Sequence, residues 1–397
     1  MTSRALPAAC LALAMAAAPA AAPAASWHAP EPLTRSGDAY GASVATGGGA
    51  LAVAYIRGVG AASRVELRTG TLRGRLGAPV VLRSSPRNAY VTATSVGPDG
   101  RAIVAWLRHV QANNRVRATS VRRDGRVAAL RTISGAGESA YDPTFLPAAD
   151  GETYLGWARR SFGQAAPFAG GSFAPLFSSP FTGVGSSATA AVDATGTLVA
   201  VWTSGRRVLT AQARAGAPPS TPRELAADGR VPQAAVMPDG TIVATWTTSS
   251  GIAAASRPSG GDFGPAAVVA AVPATAARLI AAATGDSLLL VFVDGDRHLR
   301  AQRLTPAGRR RGPVVAVGGA DETDGVALAG DSSATFAAWS ERSTGAVRVA
   351  RIARDGIFGA PRPLAARSPL RGHPPVVGAG AVEWEDGHGR LLLSRWR

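Results

Sequence analysis

The chain has 397 residues and a net charge of +16, and all 42 of its basic residues are arginine. With 46% hydrophobic and 17% charged residues it can bury a core, which excludes a disordered polyelectrolyte. The lone cysteine excludes an internal disulfide, and the lack of lysine excludes a phosphate-cradling loop that ends in Gly-Lys.

The N-terminus reads as an export signal. Arg4 is a short basic head, residues 5 to 18 are an Ala/Leu stretch, and small residues follow. Cleavage after Ala24 leaves Ala22 and Ala24 in the small-x-small pattern, so residues 1–24 are expected to be removed. The apolar stretch is too short for a membrane anchor. Cys10 lies near its start, too early for lipidation, and the mature chain is then free of cysteine.

After the signal, a short apolar strand ending in an aromatic recurs. The anchors are Tyr55, Trp106, Trp157, Trp202, Trp246, Phe292, Trp339 and Trp384, spaced 51, 51, 45, 44, 46, 47 and 45 residues apart. That period belongs to a β-propeller, one small sheet per repeat around a central channel. The anchors are predicted to fill the wedge between neighbouring blades.

One repeat shows how a blade is written. In residues 230 to 270, QAAVM is an innermost strand, Asp239-Gly240 turns the chain, and TIVATW is the second strand. IAAASR is the third and FGPAAVV the outermost. Asp99-Gly100, Asp150-Gly151 and Thr195-Gly196 precede the anchor strands of other repeats in the same way. The repeats lie near 35–86, 87–138, 139–183, 184–228, 229–272, 273–320, 321–367 and 368–397. The last stops after three strands, and WHAPEPL, Trp27 to Leu33, resembles the missing fourth. The expected fold is therefore an all-β propeller spanning residues 25–397. It has eight four-stranded blades, with seven as the alternative, closed by the N-terminal strand.

The third repeat departs from the pattern. Residues 161–192 carry no charge and hold Phe162, Phe168, Phe173, Phe177 and Phe181. They read either as a buried, drifted blade edge or as an apolar docking surface.

Propellers bind at one end of the ring, where loops of many blades converge. Aligned on the anchors, the positions that lead into the innermost strands are Tyr40, Tyr90 and Tyr141, then Ser186, Arg230, Arg278, Asp324 and His373. Tyrosine offers an apolar face for a sugar ring and a hydroxyl, and arginine offers a planar fork for a carboxylate or phosphate. The set resembles a site for an acidic sugar or polymer. The alternative is that the tyrosines pad the channel and the arginines are solvated.

The Asp-Gly turn, the apolar strand ending in Trp and the F-G-x-P before the outer strand resemble bacterial secreted β-propellers, including the sialidase-like ones. The resemblance covers most of the mature chain at the level of the repeat. The S-x-D-x-G-x-x-W turns of sialidases are absent, and no catalytic residue carries over. It implies an exported binding or scaffold protein whose ligand is an anionic glycan, a cell-wall polymer or another protein. The alternative is a carbohydrate-active enzyme, a glycosidase or polysaccharide lyase, at the channel mouth. No G-x-S-x-G elbow is present. The run VDGDRH, with Asp294, Asp296 and His298, reads as a polar hairpin turn before a cation site. No cofactor, no metal, no nucleic acid and no transmembrane anchor are expected, and a monomer is the default.

Overall fold

The structure, a computed structural model, describes residues 26–35, 38–59, 62–86, 89–110, 113–135, 139–159, 163–169, 172–173, 177–179, 188–272, 274–284, 286–317, 323–330, 334–341, 343–353, 357–365, 375–386, 388 and 390–396. The predicted signal peptide with Cys10, and the leading positions Ser186 and His373, lie outside the described residues.

Each repeat folds as an antiparallel meander. Blade 1 runs Ala39–Gly47, Ala50–Val59, Ala62–Thr71 and Val80–Pro86, from the channel outward. Blade 5 runs Arg230–Val236, Ile242–Thr248, Gly251–Arg257 and Ala267–Ala270. The second strands are apolar on both faces because a blade is covered by a neighbour on each side. Eight such sheets stand side by side, their innermost strands in contact around a closed ring. The protein is an eight-bladed all-β propeller.

The hairpins that join first to second strands are built by their aspartates. In Asp99, Asp150 and Asp239 one carboxylate oxygen accepts the backbone N–H two residues on, at 2.9 to 3.0 Å. Gly240 then takes φ +82°, and a β-carbon there would sit 2.6 Å from that of Ala194 in the preceding blade. Only glycine meets both the left-handed backbone and the close approach.

All eight anchors are buried, none of them more than 4% exposed, and all but Trp202 lie in clusters shared with the preceding blade. Tyr55 packs with Leu391 and Leu393 of blade 8, Trp106 with Ala54 and Ile56 of blade 1, and Trp339 with Leu289 and Val291 of blade 6. Each of these rings faces the blade before its own. The core is thus a ring of interblade layers.

Closure follows the predicted route. The last sheet has the order Glu31–Pro32, Leu391–Arg395, Ala381–Glu385, Val376–Gly378, so the first strand of the chain is the outermost strand of the last blade. Glu31 pairs with Leu393 and Pro32 with Leu392, and Trp27 bridges Trp396. Leu33 donates its N–H to the Leu391 carbonyl at 2.8 Å and is buried. Trp27, Trp396 and Phe336 form an edge-to-face and tilted aromatic cluster beside the seam.

Blade 3 is not a simple four-stranded sheet. Its third strand, Gly163–Ala169, is edged by two pieces, Ser172–Phe173 and Phe177–Ser179. Phe168 pairs with Phe173, while Gly163 pairs with Ser179. Phe162 and Phe181 lie outside the described residues.

Candidate functional site

The leading positions share one backbone device. Tyr40 lies opposite Ile56, Tyr90 opposite Leu107, Tyr141 opposite Ala158 and Arg230 opposite Thr247. In each blade that partner follows the anchor aromatic, so the four positions are equivalent around the ring. Directly after each the register slips, a β-bulge that breaks the ladder and re-aims the strand. In three of them the next residue is left-handed: Gly41 at φ 59°, Asp142 at φ 47° and Val231 at φ 47°. For Val231, a β-branched residue, this conformation costs about 1–3 kcal/mol.

At three of the bulges the leading side chain is exposed. Tyr40 is 43% and Tyr141 44% exposed, and Arg230 is exposed as well. The Tyr40 hydroxyl also donates to the Ala89 carbonyl of blade 2 at 3.4 Å. Beneath it, hydroxyls tie the two innermost strands together. Ser43 meets Thr92 at 2.8 Å and Thr94 at 2.6 Å, and Thr92 donates to the Gly41 carbonyl inside the bulge at 2.6 Å. Arg278 lies in an irregular stretch between the pairs Ala274–Asp294 and Leu279–Phe292, and Asp324 between Thr323–Glu341 and Gly325–Ser340. The backbone therefore brings Arg278 and Asp324 to the same end of the ring.

The acids have structural work. Asp294 accepts the N–H groups of Asp296 and His298 with one oxygen and Arg300 Nε at 2.7 Å with the other. The donor atoms of Asp294, Asp296 and His298 lie within 4.8 Å of one another, but both Asp294 oxygens are already engaged, as a hairpin turn requires. Asp386 binds Arg390, Glu341 binds Arg348, and Asp228 binds Arg206 and Ser249. Asp193 is wholly buried with Arg257 between blades 4 and 5.

A second feature at this end of the ring was not foreseen from the sequence. Where blade 8 meets blade 1, a cleft of ≈670 Å³ is bounded by Arg35, Arg57, Arg68 and Arg390, with Tyr55 among its lining residues. Burial, and then the Glu66 carboxylate hydrogen-bonded to it, push the Tyr55 hydroxyl well above the usual phenol range. The arginines come from opposite ends of the chain, and only the closed ring assembles them. The one signal in the sequence is the alternation in blade 1 that places Tyr55 and Arg57 on one face.

No protein-family profile and no curated protein matches this chain. Solved structures do. The chain is similar to a WD40 domain of SCAP from fission yeast, with a TM-score of 0.52 and 11% identity over 92% of this chain and 97% of that one. It is also similar to a prolyl endopeptidase, with a TM-score of 0.51 and 15% identity over 81% of this chain. There the chain spans about half the length of the protein it matches, 49%. At such identities the likeness shows the propeller fold alone. Neither the family profiles nor the curated proteins support the sialidase-like resemblance read from the repeat.

Proposed function

We propose that this protein is an exported, non-catalytic binding propeller that holds an anionic glycan or cell-wall polymer at the end of the ring where the innermost strands begin. One observation carries the reading: the repeated bulge after Tyr40, Tyr141 and Arg230, which exposes each side chain and in Arg230's case puts a valine into a left-handed conformation. Strain of this kind persists where the surrounding structure imposes it, commonly at binding sites. Tyrosine faces and arginine forks at equivalent positions suit the repeating units of an acidic polymer. The net charge of +16 favours an anionic ligand, and the Ala24 cleavage pattern favours export. A glycosidase works with two carboxylates about 5–9 Å apart. Among the described residues, Asp193, Asp228, Asp294, Asp386 and Glu341 are instead held by arginines.

The test is retention on an array of neutral and anionic glycans at low and physiological salt. The expected result is binding of a defined acidic glycan that survives physiological salt and falls at least tenfold in Tyr141→Ala and Arg230→Ala. Binding to every anionic spot that vanishes with salt would reduce the effect to bulk charge within a Debye length of about 8 Å. That result would sink the proposal.

A further inference from the structure

The seam cleft carries more arginine than its own acids account for. Arg68 is committed to the fold: it donates to the carbonyls of Gly77, Leu33 and Leu76 at 3.0, 3.1 and 3.5 Å, clasping the N-terminal strand to blade 1. Arg390 is committed to Asp386 at 2.7 Å. Glu66 is buried and bonded to Tyr55. Arg35 is exposed and Arg57 half-buried, and among the described residues neither side chain has a hydrogen bond or an ion pair. Arg57 also stands directly across the ladder from Arg64, a like-charge pair, with Glu66 on the diagonal as the nearest acid.

The remaining walls come from Pro32, Leu33, Pro79 and Thr34, whose hydroxyl oxygen accepts the Leu391 N–H at 3.2 Å. The volume lies within the ordinary range for small-molecule sites, about 300–1,000 Å³, and exceeds what a bare inorganic ion needs. A flat apolar wall beside a guanidinium fork matches a ring that carries a carboxylate, since the planar fork takes both carboxylate oxygens at once.

We infer that the cleft between blades 8 and 1 binds one hexuronate unit, its carboxylate on Arg57 and Arg35 and its ring against Pro32 and Pro79. The inference takes its ligand class from the anionic-glycan reading above, while the site is separate from the leading positions and is tested separately.

The experiment is calorimetric titration of the purified protein at physiological salt with three probes, D-glucuronate, D-glucose and inorganic phosphate. Glucuronate is expected to saturate one site, glucose to give no heat of binding, and phosphate to bind at least tenfold more weakly. Arg57→Gln is expected to weaken glucuronate at least tenfold. Arg35→Gln, on an exposed side chain that the fold does not need, is expected to weaken it several-fold. Arg126→Gln, an exposed arginine paired with Asp124 in blade 2, removes the same charge and should leave the titration unchanged. Melting curves check that each variant is folded. Glucuronate that fails to saturate, phosphate that binds as well as glucuronate, or equal losses in Arg57→Gln and Arg126→Gln would each overturn the inference. An acidic polymer retained on the array without any glucuronate titration would remove the seam and leave the leading positions. Glucuronate binding without polymer retention would do the reverse.

Discussion

Arg257→Met is the sharpest test of how the ring is held together. Asp193 and Arg257 meet at 2.7 Å with side chains 0% and 1% exposed, one from the first turn of blade 4, the other from the third strand of blade 5. Arg257 also donates to Gln212 at 3.0 Å, and the Asp193 oxygens accept the N–H groups of Thr195, Thr197 and Gly260. Removing the guanidinium leaves a buried carboxylate without its counter-charge, which typically costs about 3–5 kcal/mol. The unfolding entropy is about 2.1 cal/mol/K per residue, or about 0.8 kcal/mol/K for a propeller of this length, so the expected fall in Tm is about 4–6 °C. Adding Asp193→Asn to Arg257→Met should recover part of that loss, because a neutral amide keeps turn acceptors without the stranded charge. The pair also sets an acid limit. Burial pushes the Asp193 carboxyl up, but hydrogen bonds from Thr195, Arg257, Gly260 and Thr197 outweigh it and hold the group well below the usual carboxylate range. Its folded value is depressed, so its contribution is complete above about pH 4, the ordinary value of Asp. It is lost as pH falls through the folded value. Calorimetric melts of parent, single and double variants between neutral and acid pH read both effects. An Arg257→Met protein within about 1 kcal/mol of the parent would refute the reasoning, since surface changes alone stay below about 0.5 kcal/mol.

Trp339→Ala empties the wedge against Leu289 and Val291 and should cost about 3–5 kcal/mol in chemical unfolding. A variant that unfolds with the parent would remove Trp339 from the core. Deleting residues 26 to 34 strips the outermost strand from blade 8, with the Leu33 and His28 ladder bonds and the Glu31–Arg395 pair, and should lower Tm sharply. An unchanged melt would contradict closure by this strand. Glu383 is buried, and that burial, with the charge of Glu385, pushes its carboxyl up to about 8. Its folded value lies above the unfolded value of about 4.3, so the folded state holds the extra proton and stability falls as pH rises from about 4 towards 8. Glu383→Gln should flatten the melting profile in that window. A slope identical to the parent's would show that another group is responsible.

The architecture was legible because it repeats. Eight anchors at a near-constant spacing point to eight blades, with seven left open by the irregular third repeat, and the missing fourth strand after LLLSRW points to Trp27–Leu33 without any knowledge of packing. Tyr40, Tyr90, Tyr141 and Arg230 were legible as equivalent positions for the same reason. The bulge that exposes Tyr40, Tyr141 and Arg230 was not, because a slip of register leaves no mark in a hydrophobic pattern; the one trace is the proline two residues after Tyr141 and Arg230, Pro143 and Pro232. Asp193 and Arg257 are separated by 64 residues and belong to different repeats, so neither period nor motif links them. The seam cleft was least accessible of all. Arg35 and Arg390 stand at opposite ends of the sequence and become neighbours only through closure. The Phe-rich segment was legible as an irregularity, while its division into two edge pieces depends on strand pairing.

The closing strand has a consequence for synthesis. Glu31 and Pro32 leave the ribosome well before Leu391–Arg395, with which they pair. At about 5–20 residues per second, some 360 residues of delay keep that strand unpaired for roughly 18–72 s. An unpaired strand is a template for any passing chain. Pro30 and Pro32 offer no N–H, and Glu31 between them carries a charge, so the waiting segment is a poor partner for every sheet except the one that completes the ring.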